Sequence, residues 1–260
     1  MSLTGKSPSE TYKDITYVDN NNNGVTTTLK QVKSGNGSST ALQVSDRSLQ
    51  VKSATNNTAA LDVQNASGTS KFLVDTTNNF VKANNVHVNT MYQEFGVFDL
   101  ENTQQNYYNP LFANTNASSQ SEPEGLSEIM GTGPATSLDI SAVSMGSETL
   151  IGAMWYVMDN ITIDAGKLFV DTDGQACDCK VFSYDIVEGD GATGGDLSNG
   201  TEIMNSGSTL SNVNNAITTA ALTVTSANVS SGKVVLAMVR NTGGTNRITA
   251  KLRIKYHITG

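Results

Sequence analysis

Cysteine, proline, tryptophan and charge are all scarce in this chain. Two cysteines in 260 residues exclude a disulfide framework. They stand two apart as Cys177 and Cys179 in "CDC", so on a strand both side chains point the same way. A bridge at that spacing would be strained, and two thiols make only half a zinc site. They are expected to be structurally incidental, which leaves burial or assembly to hold the fold. Charged residues make up 15 % of the chain. Asn, Ser, Thr and Gly fill the gap, Val and Ile are common, and the helix formers Lys, Glu and Arg are thin, a balance that favours strands and turns. No apolar run approaches the roughly 18 residues of a membrane helix, so no membrane insertion is expected. The opening MSLTGKSPSETYKD has no apolar core region and no cleavage-like site, so no secretory signal is expected.

Charge of one sign is also missing locally. Residues 83–166 contain no Lys or Arg but ten acids, and residues 232–260 contain six Lys and Arg and no acid. The plain reading is two solvated faces; the sharper one is that acidic and basic segments meet, within a chain or between copies. A net charge of -8 speaks against nucleic acid as a partner.

What is present is organised in four stretches. Residues 1–40 are polar, with turn-rich "DNNNNG" and "SGNGSS", and bury too little to fold alone; they are expected to be an arm that orders against something else. Residues 41–90 carry short apolar beats, "ALQV", "SLQV", "ALDV", "KFLV", "NFV" and "VHV", separated by turn chemistry. In the first three beats Leu and Val alternate as on a strand with one apolar side. Burying one such side chain is worth about 1.5–3 kcal/mol, whereas ordering one backbone residue costs about 1–2 kcal/mol. A single copy barely breaks even. Identical copies wound round one axis do better, because Leu42, Val44, Leu49, Val51, Leu61, Val63, Phe72 and Val74 of each would meet their equivalents. A homotrimeric β-repeat shaft is the expectation, by analogy with narrow three-faced axes. The alternative is one irregular β domain whose beats pair within the chain.

Residues 91–137 concentrate aromatics, Tyr92, Phe95, Phe98, Tyr107, Tyr108 and Phe112, and are expected to form a neck and linker, the aromatics plugging the base of a head, with stacking on sugar rings as the alternative. Residues 138–260 contain about eight strand-like runs, the pattern of a C-terminal β-sandwich or jelly-roll head. In "RITAKLRIKYHI", Ile248, Ala250, Leu252, Ile254 and Tyr256 share one face and the polar residues the other. "KVVLAMV" is apolar on both faces and should be central. "NTGGTN" is expected to join these two runs as a hairpin, and "EGDGATGGDLSNGT" to be loop. The fold class expected is thus all-β throughout.

Sites with chemistry are few. "TGKS" at Thr4–Ser7 lacks the upstream glycine of a phosphate-binding loop. His87 and His257 have no nucleophile motif around them. "DTDGQACDC" lacks the glutamate of a calcium loop, and no pair of acids stands out for glycoside cleavage. No catalytic residue, cofactor or metal is expected, and the protein is not read as an enzyme. The basic strand residues Lys251, Arg253 and Lys255 are candidates for contact with a host surface polysaccharide or an acidic capsid patch.

The segment "SLTGKSPSETYKDITYVDNNNNGVTTTLKQVKSGNGSSTALQVS" resembles the N-terminal part of fibre-like and other appendage proteins of marine tailed bacteriophages. In that group a similar "TGKSPSETYKD" start leads into short β beats and a variable C-terminal head. "SGTSKFLVDTTNNFVKAN", residues 67–84, also looks like the phage-fibre pattern of a Gly turn followed by F-x-V-D. The resemblance covers about the first 85 residues. It implies a virion structural protein, trimeric, with residues 1–40 attaching to other virion proteins of capsid or tail. Tyr12, Ile15, Tyr17 and Val18 are the expected anchors of that arm. The leading expectation is a fibre or spike presenting its head for host attachment. A capsid decoration protein and a glycan-degrading tail spike remain alternatives.

Overall fold

Short strands fit the early sequence because turn residues recur every few positions. The computed structural model describes residues 15–21, 23–100, 103, 105–113, 130, 138–139, 151–188, 196–207, 209–244 and 247–259. β1 (Thr16–Val18), β2 (Lys30–Ser34), β3 (Ser39–Val44) and β4 (Leu49–Val51) form one antiparallel sheet in sequence order. β5 (Leu61–Gln64), β6 (Ser70–Asp75), β7 (Phe80–Ala83) and β8 (Val86–His87) form a second. The β7–β8 turn is Asn84–Asn85, both at positive φ (49° and 65°), the left-handed pair that a two-residue hairpin turn requires. The β6–β7 turn is capped by Asp75. Its Oδ1 accepts the backbone N–H groups of Thr77 and Asn78 at 2.9 and 2.8 Å, and its Oδ2 accepts Asn78 Nδ2 at 2.8 Å. Those bonds account for the acid in "FLVD": Phe72 and Val74 take one face, and the next residue closes the turn.

The remaining strands are β9 (Thr90–Leu100), β10 (Asn109–Leu111), β11 (Leu138–Asp139), β12 (Trp155–Tyr156), β13 (Ile161–Asp171), β14 (Cys177–Val187), β15 (Asp196–Asn205), β16 (Thr218–Val224), β17 (Asn228–Val229), β18 (Val234–Asn241) and β19 (Ile248–Ile258). Eight of them follow the path β10-β18-β14-β15-β16-β13-β19-β9. The pairing is nested. β9 pairs β19, β10 pairs β18, β13 pairs β16 and β14 pairs β15, so the first strand meets the last, the second the next to last, and so inwards. The ring is brought almost to closure by a bridge between Gly96 and Phe112, whose amides exchange two hydrogen bonds of 2.9 Å.

Hydrophobic alternation explains the interior. Leu168 and Val170 of β13, Leu252 and Ile254 of β19, and Phe95 and Val97 of β9 are buried in one core with Val181 of β14 and Val235, Ala237 and Val239 of β18. Cys177 and Cys179 lie in that core as free thiols. Burial pushes the Cys177 thiol up to about 12 and that of Cys179 up as well. Both are expected to be inert to a thiol reagent at pH 8 until the fold is opened by denaturant. A colorimetric thiol count with and without denaturant checks this.

The chain divides into Met1–Val88 and Asn89–Gly260. Four expectations are corrected by the strands. β3 runs through the expected boundary at residue 40, and β1 already pairs β2, so residues 16–40 belong to the first sheet rather than to a separate arm. Residues 91–100 and 109–111, expected as neck, lie in strands of the larger unit, because Phe95, Tyr108, Leu111 and Phe112 are buried in its core. β18 and β19 are not a hairpin. β18 lies between β10 and β14, and β19 between β13 and β9, so each finds a separate set of partners. "DLSNGT", the end of the stretch expected as loop, lies in β15. It lacks alternation, yet Leu197, Ile203 and Met204 are buried. As expected, "KVVLAMV" is central, with Val234 through Val239 all buried. Parts of the expected linker, 114–129 and 131–137, lie outside the described residues.

Candidate interaction surfaces

Strand alternation sorts the beats of the first unit onto single faces. In the second sheet, register sets Val63 beside Phe72, Phe72 beside Ala83 and Ala83 beside Val86, and in the next row Leu61 beside Val74 and Val74 beside Val81. A hydrogen bond of 3.1 Å from Val88 N–H to the Val81 carbonyl continues that second row to Val88. One face of this sheet is therefore apolar across all four strands. In the first sheet Leu42 pairs Val51 and Val44 pairs Leu49, again on one face. Leu61, Val63, Phe72, Val86 and Val88 are 38 to 58 % exposed, and Leu49 is 66 % exposed. Among the described residues of 15–88 no apolar side chain is buried; the buried residue there is Asp75.

The eight residues expected at a shared axis thus fall in two sets of four, each set on one face of one sheet. Val81, Ala83, Val86 and Val88 extend the second face and were missed, although "VHV" and "NFV" carry the same alternation. Of the expected anchors, Tyr12 lies outside the described residues. Ile15 is exposed, and Tyr17 and Val18 are in β1, paired with Lys33 and Val32.

In the larger unit the acidic and basic segments meet within the chain. Glu94 on β9 takes Lys251 Nζ at 2.8 Å and Arg253 Nε at 3.6 Å from β19. Arg247 joins Asp99 and Asp173, each at 3.1 Å, and His257 Nδ1 lies 3.0 Å from Asp164. The hydrogen bond from Lys251 holds the Glu94 carboxyl below the usual carboxylate range. Lys233 at 2.6 Å, then Asn199 at 2.9 Å, do the same for Asp185. A depressed carboxylate contributes stability above its unfolded value, near 4, and loses it as pH falls through and below that value. The melting temperature is therefore expected to be flat from pH 7 to about 5 and to fall below about pH 4. Calorimetry across that range checks it.

The expected contact residues Lys251, Arg253 and Lys255 sit together on the outer face of β19, opposite the buried row Ala250, Leu252, Ile254 and Tyr256. The Arg253 guanidinium stands 4.6 Å from the centroid of the Tyr92 ring. Among the described residues no group of three or more His, Cys, Asp or Glu side chains is placed to hold a metal ion.

No family model matches the chain, and no curated protein matches it. Among solved structures, a chain from "Structure of infectious bursal disease virus Gx strain" aligns at 8 % identity, over 73 % of this chain and 38 % of that one, with a TM-score of 0.27. This chain thus spans well under half of its length. A score of that size does not define a shared fold.

Proposed function

We propose that the protein is a virion structural protein, a fibre or spike whose first unit is completed by two further copies of the same chain and whose second unit is the head that meets the host. The observation that carries this is the first unit's missing core. The second sheet has an apolar face across all four strands and the first has one across β3 and β4, and residues 15–88 bury none of those side chains among the described residues. Monomeric proteins rarely expose contiguous apolar surface of this extent. Three equivalent faces closing on one axis cover all of it and couple folding to assembly. The nested strand order of the larger unit supports reading it as a jelly roll, an architecture that stands on its own core. The resemblance of the N-terminal residues to phage appendage proteins supplies the virion, and Ile15, exposed and ahead of β1, is the described residue of the proposed attachment segment.

Light scattering after size exclusion tests the assembly. A mass three times the 27.4 kDa of the chain supports the reading. A stable monomer overturns the shared core, and a dimer overturns the three-fold axis. Labelling of purified particles then separates a tail fibre from a capsid decoration protein.

A further inference from the structure

The outer face of β9, β19 and β13 carries three cross-strand rows. Tyr92, Lys255 and Ala165 form the first, Glu94, Arg253 and Lys167 the second, and Gly96, Lys251 and Phe169 the third. A chain of net charge -8 thus gathers four cations on one open sheet surface, with Glu94 the one acid in the three rows. Glu94 is already engaged by Lys251 and Arg253. Lys167 and Lys255 form no ion pair among the described residues. Beyond the rows, Asp164 is paired with His257 at one end and half-buried Asp171 closes the other. Two aromatic rings stand at opposite corners, Tyr92 53 % and Phe169 41 % exposed. A strand spacing of about 4.8 Å and a rise of about 3.4 Å per residue put their backbones about 17 Å apart.

We propose that this face binds an anionic polysaccharide. The cations would pair with its carboxylate or sulfate groups, and Tyr92 and Phe169 would stack on sugar rings. Lysine stems are long and adaptable, which suits charges carried at irregular intervals. An open sheet surface with aromatics at its corners suits an extended chain of several rings. A nucleic acid fits less well, because its dense phosphates are bound through many cations and this face offers four, two of them shared with Glu94. A second copy fits less well still, because a self-complementary contact sets these cations against one another. The inference rests on reading the larger unit as an attachment head.

The test uses the full chain with polygalacturonate, dextran sulfate, uncharged dextran and a single-stranded oligonucleotide as probes, by affinity electrophoresis or calorimetry. Binding is expected for the first two at low salt, falling steeply by about 0.5 M salt as screening shortens, and none for uncharged dextran. The double variant Lys167→Glu, Lys255→Glu disturbs no ion pair among the described residues and is expected to lose about tenfold or more in affinity. Phe169→Ser is expected to lose about threefold or more without changing the salt dependence, a readout that charge alone would not give. Failure of both polyanions to bind overturns the proposal. So does equal binding of uncharged dextran, unchanged affinity in the double variant, or tighter binding of the oligonucleotide. Solution mass is read on the same samples. A trimer that does not bind overturns this proposal alone, and a monomer that binds overturns the shared core alone.

Discussion

On the proposed three-copy assembly, the variant Phe72→Asp, Val74→Asp is expected to be monomeric at concentrations where the parent assembles. Both side chains lie on the apolar face of the second sheet, in adjacent rows, Phe72 between Val63 and Ala83 and Val74 between Leu61 and Val81. Each forfeits about 1.5–3 kcal/mol of burial per chain. Each would also bring a carboxylate to the proposed shared axis, where like charges repel and lose their water. Loss of the assembled mass should therefore be complete. The larger unit has its own core, so its unfolding transition should stay cooperative and close to that of the parent. Lys71→Ser is the control. Lys71 is exposed in β6 at the irregularity of its pairing with β5, where it has no register partner, so its loss should leave the mass unchanged. A trimeric double Asp variant would mean that copies do not meet through this face.

The second large effect is expected inside the larger unit, at Asp178. Its carboxylate takes Arg240 Nε at 3.0 Å on both oxygens and Nη2 at 2.8 Å, and the guanidinium stands 4.6 Å from the Tyr108 ring centroid. The side chains of Arg240 and Asp178 are only 25 % and 13 % exposed. Asp178→Asn keeps the shape and removes the charge. It leaves an arginine that cannot shed its proton in a largely dry site. The cost should be about 3 kcal/mol, which in a unit of this size lowers the melting temperature by about 6–12 °C. Removing both partners, Asp178→Leu with Arg240→Met, should cost less than the single change, since no charge is then stranded. A double-mutant cycle by thermal or urea unfolding measures the difference. Equal and additive losses would show that the pair contributes shape rather than charge.

The local pattern of the beats was legible because each states its own periodicity. "ALQV", "SLQV", "ALDV" and "KFLV" alternate on a two-residue period, and the turns between them are written in Asn, Asp, Ser and Gly. The register then brings Leu42 to Val51 and Phe72 to Val63, because in a sheet alternation decides which residues share a face. The apolar row of β19 and the centrality of "KVVLAMV" were equally readable. β15 was not. Its buried residues Leu197, Ile203 and Met204 are irregularly spaced, and register shifts along β14 break the period that would have announced a strand.

What the sequence determined by itself is the all-β character, the one-sided beats, the lack of a disulfide framework and the separation of acidic from basic residues along the chain. Only the tertiary structure decided which strands are neighbours. It sent β18 and β19 to different partners despite their closeness in sequence, and it drew the aromatic stretch around Phe95 and Phe112 into the larger unit. It set Glu94 against Lys251 and Arg253. These choices depend on contacts between residues as far apart as β9 and β19. Such pairings are fixed by which arrangement of all the strands buries every apolar face at once, and no single stretch of sequence carries that information.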